Sequence, residues 1–228
     1  ELPQRSAADI APGPVTGITA RKRERGRFLI AIAGVPAFTL SEETLFRAGL
    51  QIGDELDPAA ITRLLADDDV ARSTEAALHF LSYRARSEQE VRDRLKRGDF
   101  SPDAIDATIV RLNQWRYLDD ADFARRWVES RARGKPRGQR LLQQELRQKG
   151  IDAETSKQAI AEADLDEVAA ATELARKRLS TMAGEDPAAI RRKIGAYLAR
   201  RGYGFDVARK ALERATGEQV DDEESTDQ

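Results

Sequence analysis

The sequence predicts a mainly α-helical protein, with three tandem three-helix repeats in an elongated, curved array behind a small N-terminal antiparallel β meander. Three observations predict it. One short phrase is written three times: "LKRGDFS" (95–101), "LRQKGID" (146–152) and "LARRGYG" (198–204). The composition is 40% apolar and 34% charged but only 6% aromatic. Cores must therefore be thin and built from aliphatic and alanine side chains, and the abundant Ala, Leu, Arg, Glu and Gln are good helix formers. Finally, β character is confined to residues 16–40.

Residues 1–14 hold three prolines and no periodicity and are expected to be disordered. Strands follow at 16–23, 27–33 and 36–40. "RFLIAIA" (27–33) places Phe28, Ile30 and Ile32 on one face, with Gly26 before it and "GVP" (34–36) after it as turns. Such a sheet cannot stand alone and must pack on a neighbour. Its first turn, "RKRERGR" (21–27), is strongly basic. Ser41 then caps "EETLFRAGL", which Gly49 ends, and Asp57 caps "PAAITRLLADD" with Pro58 at the first helical position. The β meander and these short helices form an N-terminal segment, 15–72.

The repeat is read by aligning Leu95, Leu146 and Leu198, which lie 51 and 52 residues apart. Five residues on stand Phe100, Ile151 and Tyr203; six on, Ser101, Asp152 and Gly204, all acceptable helix N-caps; fourteen on, Ile109, Ile160 and Leu212. Gly150 and Gly202 fall where a helix C-terminus needs a left-handed residue. In the first copy the glycine stands one position early, at Gly98. A longer helix opens each unit, at 73–85, 119–133 and 165–183. In the last, Leu165, Val168, Thr172, Ala175, Leu179 and Met182 trace one stripe. The repeats are thus 73–118, 119–164 and 165–216, followed by an acidic, disordered tail at 217–228. One three-helix unit buries little, so neighbours should stack.

Net charge is only −2, but it is unevenly spread. Residues 218–228 carry six acids and no base, so the rest of the chain stands at +4. Residues 125–149 hold nine Arg or Lys against two Glu, and 190–201 hold five bases and no acid. The acids collect in 54–69, 152–167 and the tail. Such blocks suggest a basic surface with acidic flanks, although any single block reads equally well as a solvated helix face.

Catalytic chemistry finds little support. No cysteine is present, which excludes disulfides, thiolate metal sites and cysteine nucleophiles and fits a reducing compartment. The one histidine, His79, sits among apolar neighbours and reads as a packed core or boundary residue rather than a ligand; neither a zinc set nor a Ser–His–acid triad can be assembled. There is no phosphate-binding P-loop. Asp119, Asp120 and Asp122 read as the cap and first turn of a helix, where acids favour the positive end of the dipole, rather than as a metal site. No cofactor is expected. "FLIAIAGVPAF" (28–38) is far short of the roughly 20 residues of a membrane span, and the first residues lack a signal-peptide pattern, so a soluble cytoplasmic protein without membrane contact is expected.

What remains is "SRARGKPRGQRLLQQELRQK" (130–149). Arg131, Arg133, Lys135 and Arg137 crowd a loop and helix start, and Arg140, Gln144 and Arg147 follow on a face away from Leu142 and Leu146. Basic side chains on a rigid helix suit phosphate contacts or an acidic protein groove. Trp115, Phe123 and Trp127 read as core rather than as base-stacking platforms, and no sequence-specific reader motif is present.

"YLDDADFARRWVESRARGKPRGQRLLQQELRQKGID" (117–152) resembles the central signature of the RecX regulatory proteins, modulators of the bacterial RecA recombinase. "Y-L-D-D", "K-x-R-G" and "E-L-x-x-K-G-I" occur in order at the family's spacing. The resemblance runs from about Ile18 to about Ala215. It includes an N-terminal β-hairpin-like extension, found in longer members, that is similar to residues 26–56; residues 1–14 and the tail fall outside it. It implies a helical three-repeat protein without a catalytic site. Such a protein is expected to lie in the groove of the RecA–DNA filament, to inhibit ATP hydrolysis, strand exchange and coprotease activity, and to bind single- and double-stranded DNA weakly and non-specifically. DNA recombination, DNA repair and the SOS response are the implied settings. The family's basic positions correspond to Lys135, Arg137, Arg140, Arg147 and Lys149. The Tyr117, Asp119 and Asp120 turn is assigned a structural role. The early Gly98 and the acidic tail depart from the pattern, and a tail of this charge would shield the basic face in cis.

The expected partner- and DNA-binding residues are therefore Arg131, Arg133, Lys135, Arg137, Arg140, Arg147 and Lys149, with Arg191, Arg192, Lys193, Arg200 and Arg201 from the second basic block. A filament regulator is the leading reading. A plain nucleic-acid-binding array competing for DNA is the next, and a scaffold for an acidic protein the third.

Overall fold

The β character of the N-terminal residues resolves into four strands in a computed structural model, which describes residues 7–217. Strands β1 (Gly13–Ala20), β2 (Arg27–Ile32) and β3 (Val35–Ser41) form the antiparallel meander, and a short β4 (Glu55–Leu56) adds to β1, giving the order β3-β2-β1-β4. Ile30 sits opposite Ile18 on β1 and Phe38 on β3. Of the predicted inward face, Ile30 and Ile32 are buried and Phe28 is half-buried. β4 escapes sequence reading because a two-residue strand has no periodicity. The expected disorder of 1–14 needs correcting over its second half: Ala7–Asp9 form a 3-10 turn, Ile10 is buried in the sheet's core, and β1 already begins at Gly13. Residues 1–6 and the tail 218–228 lie outside the described residues.

Helix α1 (Glu42–Ala48) is capped as predicted, by the Ser41 hydroxyl accepting from Thr44 N–H and by Gly49 in the left-handed conformation. The next helix differs from expectation. Instead of ending after "LLADD" and restarting at 73, α2 runs unbroken from Pro58 to Leu81. Nothing between residues 66 and 75 breaks a helix, and tertiary contacts hold both halves. Its first half covers the sheet, and its second half packs on α3 (Glu88–Lys96) and α4 (Pro102–Gln114). A buried hydroxyl cluster joins α2 to α4: Ser73 Oγ and Thr74 Oγ1 lie 2.5 and 3.2 Å from Thr108 Oγ1. The chain divides after Leu118 into two compact units. The first is thus the sheet plus the first three-helix repeat, threaded by one helix.

The second unit contains α5 (Asp120–Gly134), α6 (Gln139–Gln148), α7 (Ala153–Glu162), α8 (Glu167–Leu179), α9 (Pro187–Arg200) and α10 (Phe205–Thr216). α8 is shorter than the predicted 165–183. Asp166 caps it, Ser180 ends it, and Leu165 packs instead against the core of α5–α7. Asp119 accepts from Asp122 N–H and Asp122 pairs with Arg125 and Arg126, so these carboxylates cap and brace α5. Among the described residues no group of three or more His, Asp or Glu is placed to hold a metal, and no helix is long and apolar enough to cross a membrane.

The three phrases are three copies of one turn. Leu95, Leu146 and Leu198 are fully buried. In the second and third copies the leucine carbonyl accepts from the apolar residue five positions on, Ile151 (3.0 Å) and Tyr203 (3.2 Å). Gly150 and Gly202 adopt the left-handed conformation with φ of 81° and 87°. This is the glycine-ended helix stop, closed by an apolar contact. The first copy corrects the expectation for Gly98: the left-handed residue is Asp99, at φ 57°, in register with the other two glycines. Asp tolerates that region better than most residues but not as well as Gly. Asp99→Gly is therefore expected to stabilise the chain by about 0.5 kcal/mol. The check is a rise in the urea midpoint of the first unit; a fall would show that the aspartate side chain contributes more than its backbone costs.

Two aromatic expectations also change. His79 is exposed, its ring edge-on to Tyr83 with Nε2 3.3 Å from the Tyr83 hydroxyl, because it lies on the outer face of α2. Trp115 is 51% exposed, not core. It ends α4, Arg116 turns the chain at φ 59°, and Trp115 meets the exposed Tyr117 edge-on at 6.5 Å.

Candidate functional site

The basic stretch 130–149 folds around a buried acid. Glu145 follows Leu142 by three positions and so shares the inward face of α6. Its Oε2 accepts from Trp127 Nε1 (2.9 Å) and Arg131 Nε (3.0 Å), and its Oε1 makes an ion pair with Arg137. The Arg131 guanidinium lies over the Trp127 ring at 4.1 Å, and Lys149 reaches the same ring at 5.2 Å. Trp127 is half-buried and stacks on the buried Phe123 at 5.8 Å. Three of the predicted contact residues, Arg131, Arg137 and Lys149, are therefore also parts of the fold. Burial, with the positive charges of Arg131 and Arg201 nearby, holds the Arg137 guanidinium below its usual pKa.

The loop 135–138 owes its path to a close backbone approach. Gly138 N–H donates to Arg201 C=O (2.9 Å), and a Cβ on Gly138 would lie 2.3 Å from the Gly202 carbonyl oxygen. A Cβ on Gly202 would lie 2.4 Å from Leu141 Cβ. The glycine of "KPRG" and the glycine of "RRGYG" thus press the second and third repeats together. Glu167 accepts from Gln139 N–H (2.8 Å) at the same seam. Tyr203 is buried beside it, and that burial pushes its hydroxyl up to about 12.

This docking brings the two basic blocks to one place. Lys135, Arg137, Leu141, Tyr197, Arg200 and Arg201 line a cleft of about 330 Å³. Lys135 and Arg200 are exposed, and the Arg201 guanidinium lies over the Tyr197 ring at 5.2 Å. Arg140 and Arg147 are exposed on the outer face of α6. Not every predicted residue joins them. Arg133 pairs with Glu129 and lines a separate hollow with Arg126 and Ser130. Lys193 pairs with Glu185. Arg191 precedes Arg200 by nine positions, about two and a half turns, and leaves the opposite side of α9. Arg192 is exposed near the start of α9, away from the cleft-lining residues at its other end. Reading the sequence alone missed Glu145, Tyr197 and Leu141. The signal for Glu145 was its place on the apolar side of α6, in step with Leu142 and Leu146.

Comparison with known proteins agrees with this architecture. Models of the RecX first, second and third three-helix domains match residues 74–112, 119–160 and 165–212. The chain is 33% identical over 211 residues to the regulatory protein RecX of Bacillus subtilis, covering 92% of this chain and 80% of that one. It is 32% identical over 205 residues to the namesake of Listeria welshimeri, covering 90% and 76%. A crystal structure of a regulatory protein RecX superposes with a TM-score of 0.71 at 25% identity, covering 87% of this chain and 98% of that chain. The structure of RecX from Lactobacillus salivarius gives 0.61, also at 25% identity, over 66% and 98%. Matched domain by domain and over most of its length, the chain belongs to the RecX family of regulatory proteins.

Proposed function

We propose that this chain is a negative regulator of a RecA-type recombinase. In this reading it binds the recombinase–DNA filament in the cytoplasm and inhibits ATP hydrolysis, strand exchange and coprotease activity. It works by binding, as a regulator rather than an enzyme. Membership of the RecX family supports the RecA partner. The observation that carries the binding mode is the gathering of Lys135, Arg137, Arg200 and Arg201 from two repeats into one cleft. Two of these, Lys135 and Arg200, are exposed and free of the Glu145 cluster, which suits phosphate contact. Arg140 and Arg147 extend the basic surface along α6.

The test is ATP hydrolysis by the cognate recombinase on single-stranded DNA, with the protein titrated upward from a strongly sub-stoichiometric ratio. A fall in rate at that ratio supports action on the filament. No fall until the DNA is saturated supports the second reading, a non-specific DNA-binding array that competes for the strand. Charge removal refines it. Lys135→Gln with Arg200→Gln is expected to flatten the log–log salt dependence of single-strand binding by about 1.4, at about 0.7 per lost phosphate contact. An unchanged slope would move the DNA contact elsewhere. Arg137 is unsuited to charge reversal, because a glutamate there would face Glu145 across a buried contact.

A further inference from the structure

The sequence has three acid-rich stretches, and the fold uses two of them internally. In 54–69, Asp54 accepts from Gln51 N–H, Asp57 caps α2, Asp68 holds Arg27, and Asp69 accepts from the Ser101 amide and hydroxyl. In 152–167, Asp152 and Asp166 cap α7 and α8, and Glu167 accepts from Gln139 N–H. The third stretch, "EQVDDEESTDQ" (218–228), has six carboxylates and no base and follows Gly217, which ends α10.

We propose that residues 218–228 dock in cis on the cleft of Lys135, Arg137, Arg200 and Arg201 and compete there with nucleic-acid phosphates. The charges match: the cleft is lined by four cations, and Asp222, Glu223, Glu224 and Asp227 stand five or more residues beyond Gly217, far enough along the chain to reach it. The reach is sufficient. α10 begins four residues after Arg201, and its 12 residues rise about 18 Å away from it. Eleven residues extended span up to about 36–40 Å, enough to return along the whole of α10. A tethered segment on so short a leash acts at an effective concentration of about 1 mM. If the free segment bound with a Kd of about 0.1 mM, tethering would weaken phosphate binding about tenfold. The competition clause rests on the phosphate-binding reading of the cleft; the docking does not.

The experiment compares the full chain with a full-length variant carrying E218Q, D221N, D222N, E223Q, E224Q and D227N. Amide and arginine side-chain NMR resonances report docking without any nucleic acid. Outside the substituted segment, shift differences confined to Leu141, Tyr197, Arg201 and their neighbours are expected, fading as salt rises. The neutralised chain is also expected to bind a labelled single-stranded oligonucleotide about tenfold more tightly at low salt. Superimposable resonances around the cleft overturn the docking, and equal DNA binding by both chains then leaves the phosphate-binding reading in place. Shifts that move while neither chain binds DNA confirm the docking and remove the phosphate-binding reading instead.

Discussion

Glu145→Ala is expected to destabilise the second unit by about 3 kcal/mol, the lower end of what breaking a buried ion pair costs. The residue is 8% exposed; its carboxylate accepts from an indole N–H and the Arg131 guanidinium and forms an ion pair with Arg137. Removing it leaves those donors facing a hole with no acceptor. The arginines are only partly buried and can turn toward water, which holds the cost down; the Trp127 N–H cannot. Glu145→Gln keeps an acceptor oxygen and should fall between. Chemical unfolding followed by Trp127 fluorescence, in a Trp115→Phe background, reads the second unit alone. An Ala variant with an unshifted midpoint would show that the cluster is ornamental, and its arginines would then be fully available to a partner.

The same cluster explains why the basic face is only half legible in the sequence. Basic residues are obvious in a sequence; whether each is spent on the fold depends on one acid elsewhere. Arg131 and Arg137 look no different from Lys135 in the string, yet both turn toward Glu145. The cleft itself also depends on a seam between Gly138 and Gly202, which are 64 residues apart. No periodicity announces such a contact, because a missing Cβ matters only once the opposing backbone is in place. The joining of 135–137 to 200–201 was therefore invisible, although each block was plain on its own.

In the fold, local signals were reliable where local physics decides. The caps at Ser41, Asp57, Ser101, Asp119 and Asp152 all accept the bond their residue type predicts. The Leu–turn–apolar phrase was readable because a helix stop is made by a handful of consecutive residues. Signals failed where the environment decides. A left-handed residue is expected to be glycine, but Asp99 takes the position in the first copy. The expected break before residue 73 does not occur, since the sheet holds one half of α2 and the first repeat holds the other. Trp115 reads as core by residue type, whereas its place at the end of α4 leaves it in solvent.

That unbroken α2 gives the second large prediction, Asp68→Ala. Asp68 is 3% exposed and lies in the first half of α2. Its carboxylate takes both bonds from Arg27 Nη1, at 2.9 and 2.8 Å, and a third from Ser41 N–H at 2.6 Å. Arg27 is held further by the Thr39 carbonyl and hydroxyl, at 2.9 and 2.6 Å. One acid thus fastens β2 and the end of β3 to the helix that continues into the first repeat. Its removal strands a largely buried guanidinium and an amide, at an expected cost of about 3–5 kcal/mol. Replacing the pair together, as Arg27→Met with Asp68→Leu, should recover most of that loss, because the charge left unpaired is what makes the single change costly. Recovery should stop short by about 1–2 kcal/mol, since the Ser41 N–H still lacks an acceptor. Denaturant unfolding of both variants decides it: a double variant no more stable than Asp68→Ala would mean that the pair contributes more than its burial costs. Hydrogen exchange adds the cooperative test. If α2 transmits the loss, amides of α3 and α4 should lose protection together with those of β2 and β3, although the Asp68 carboxylate accepts its hydrogen bonds from Arg27 and Ser41.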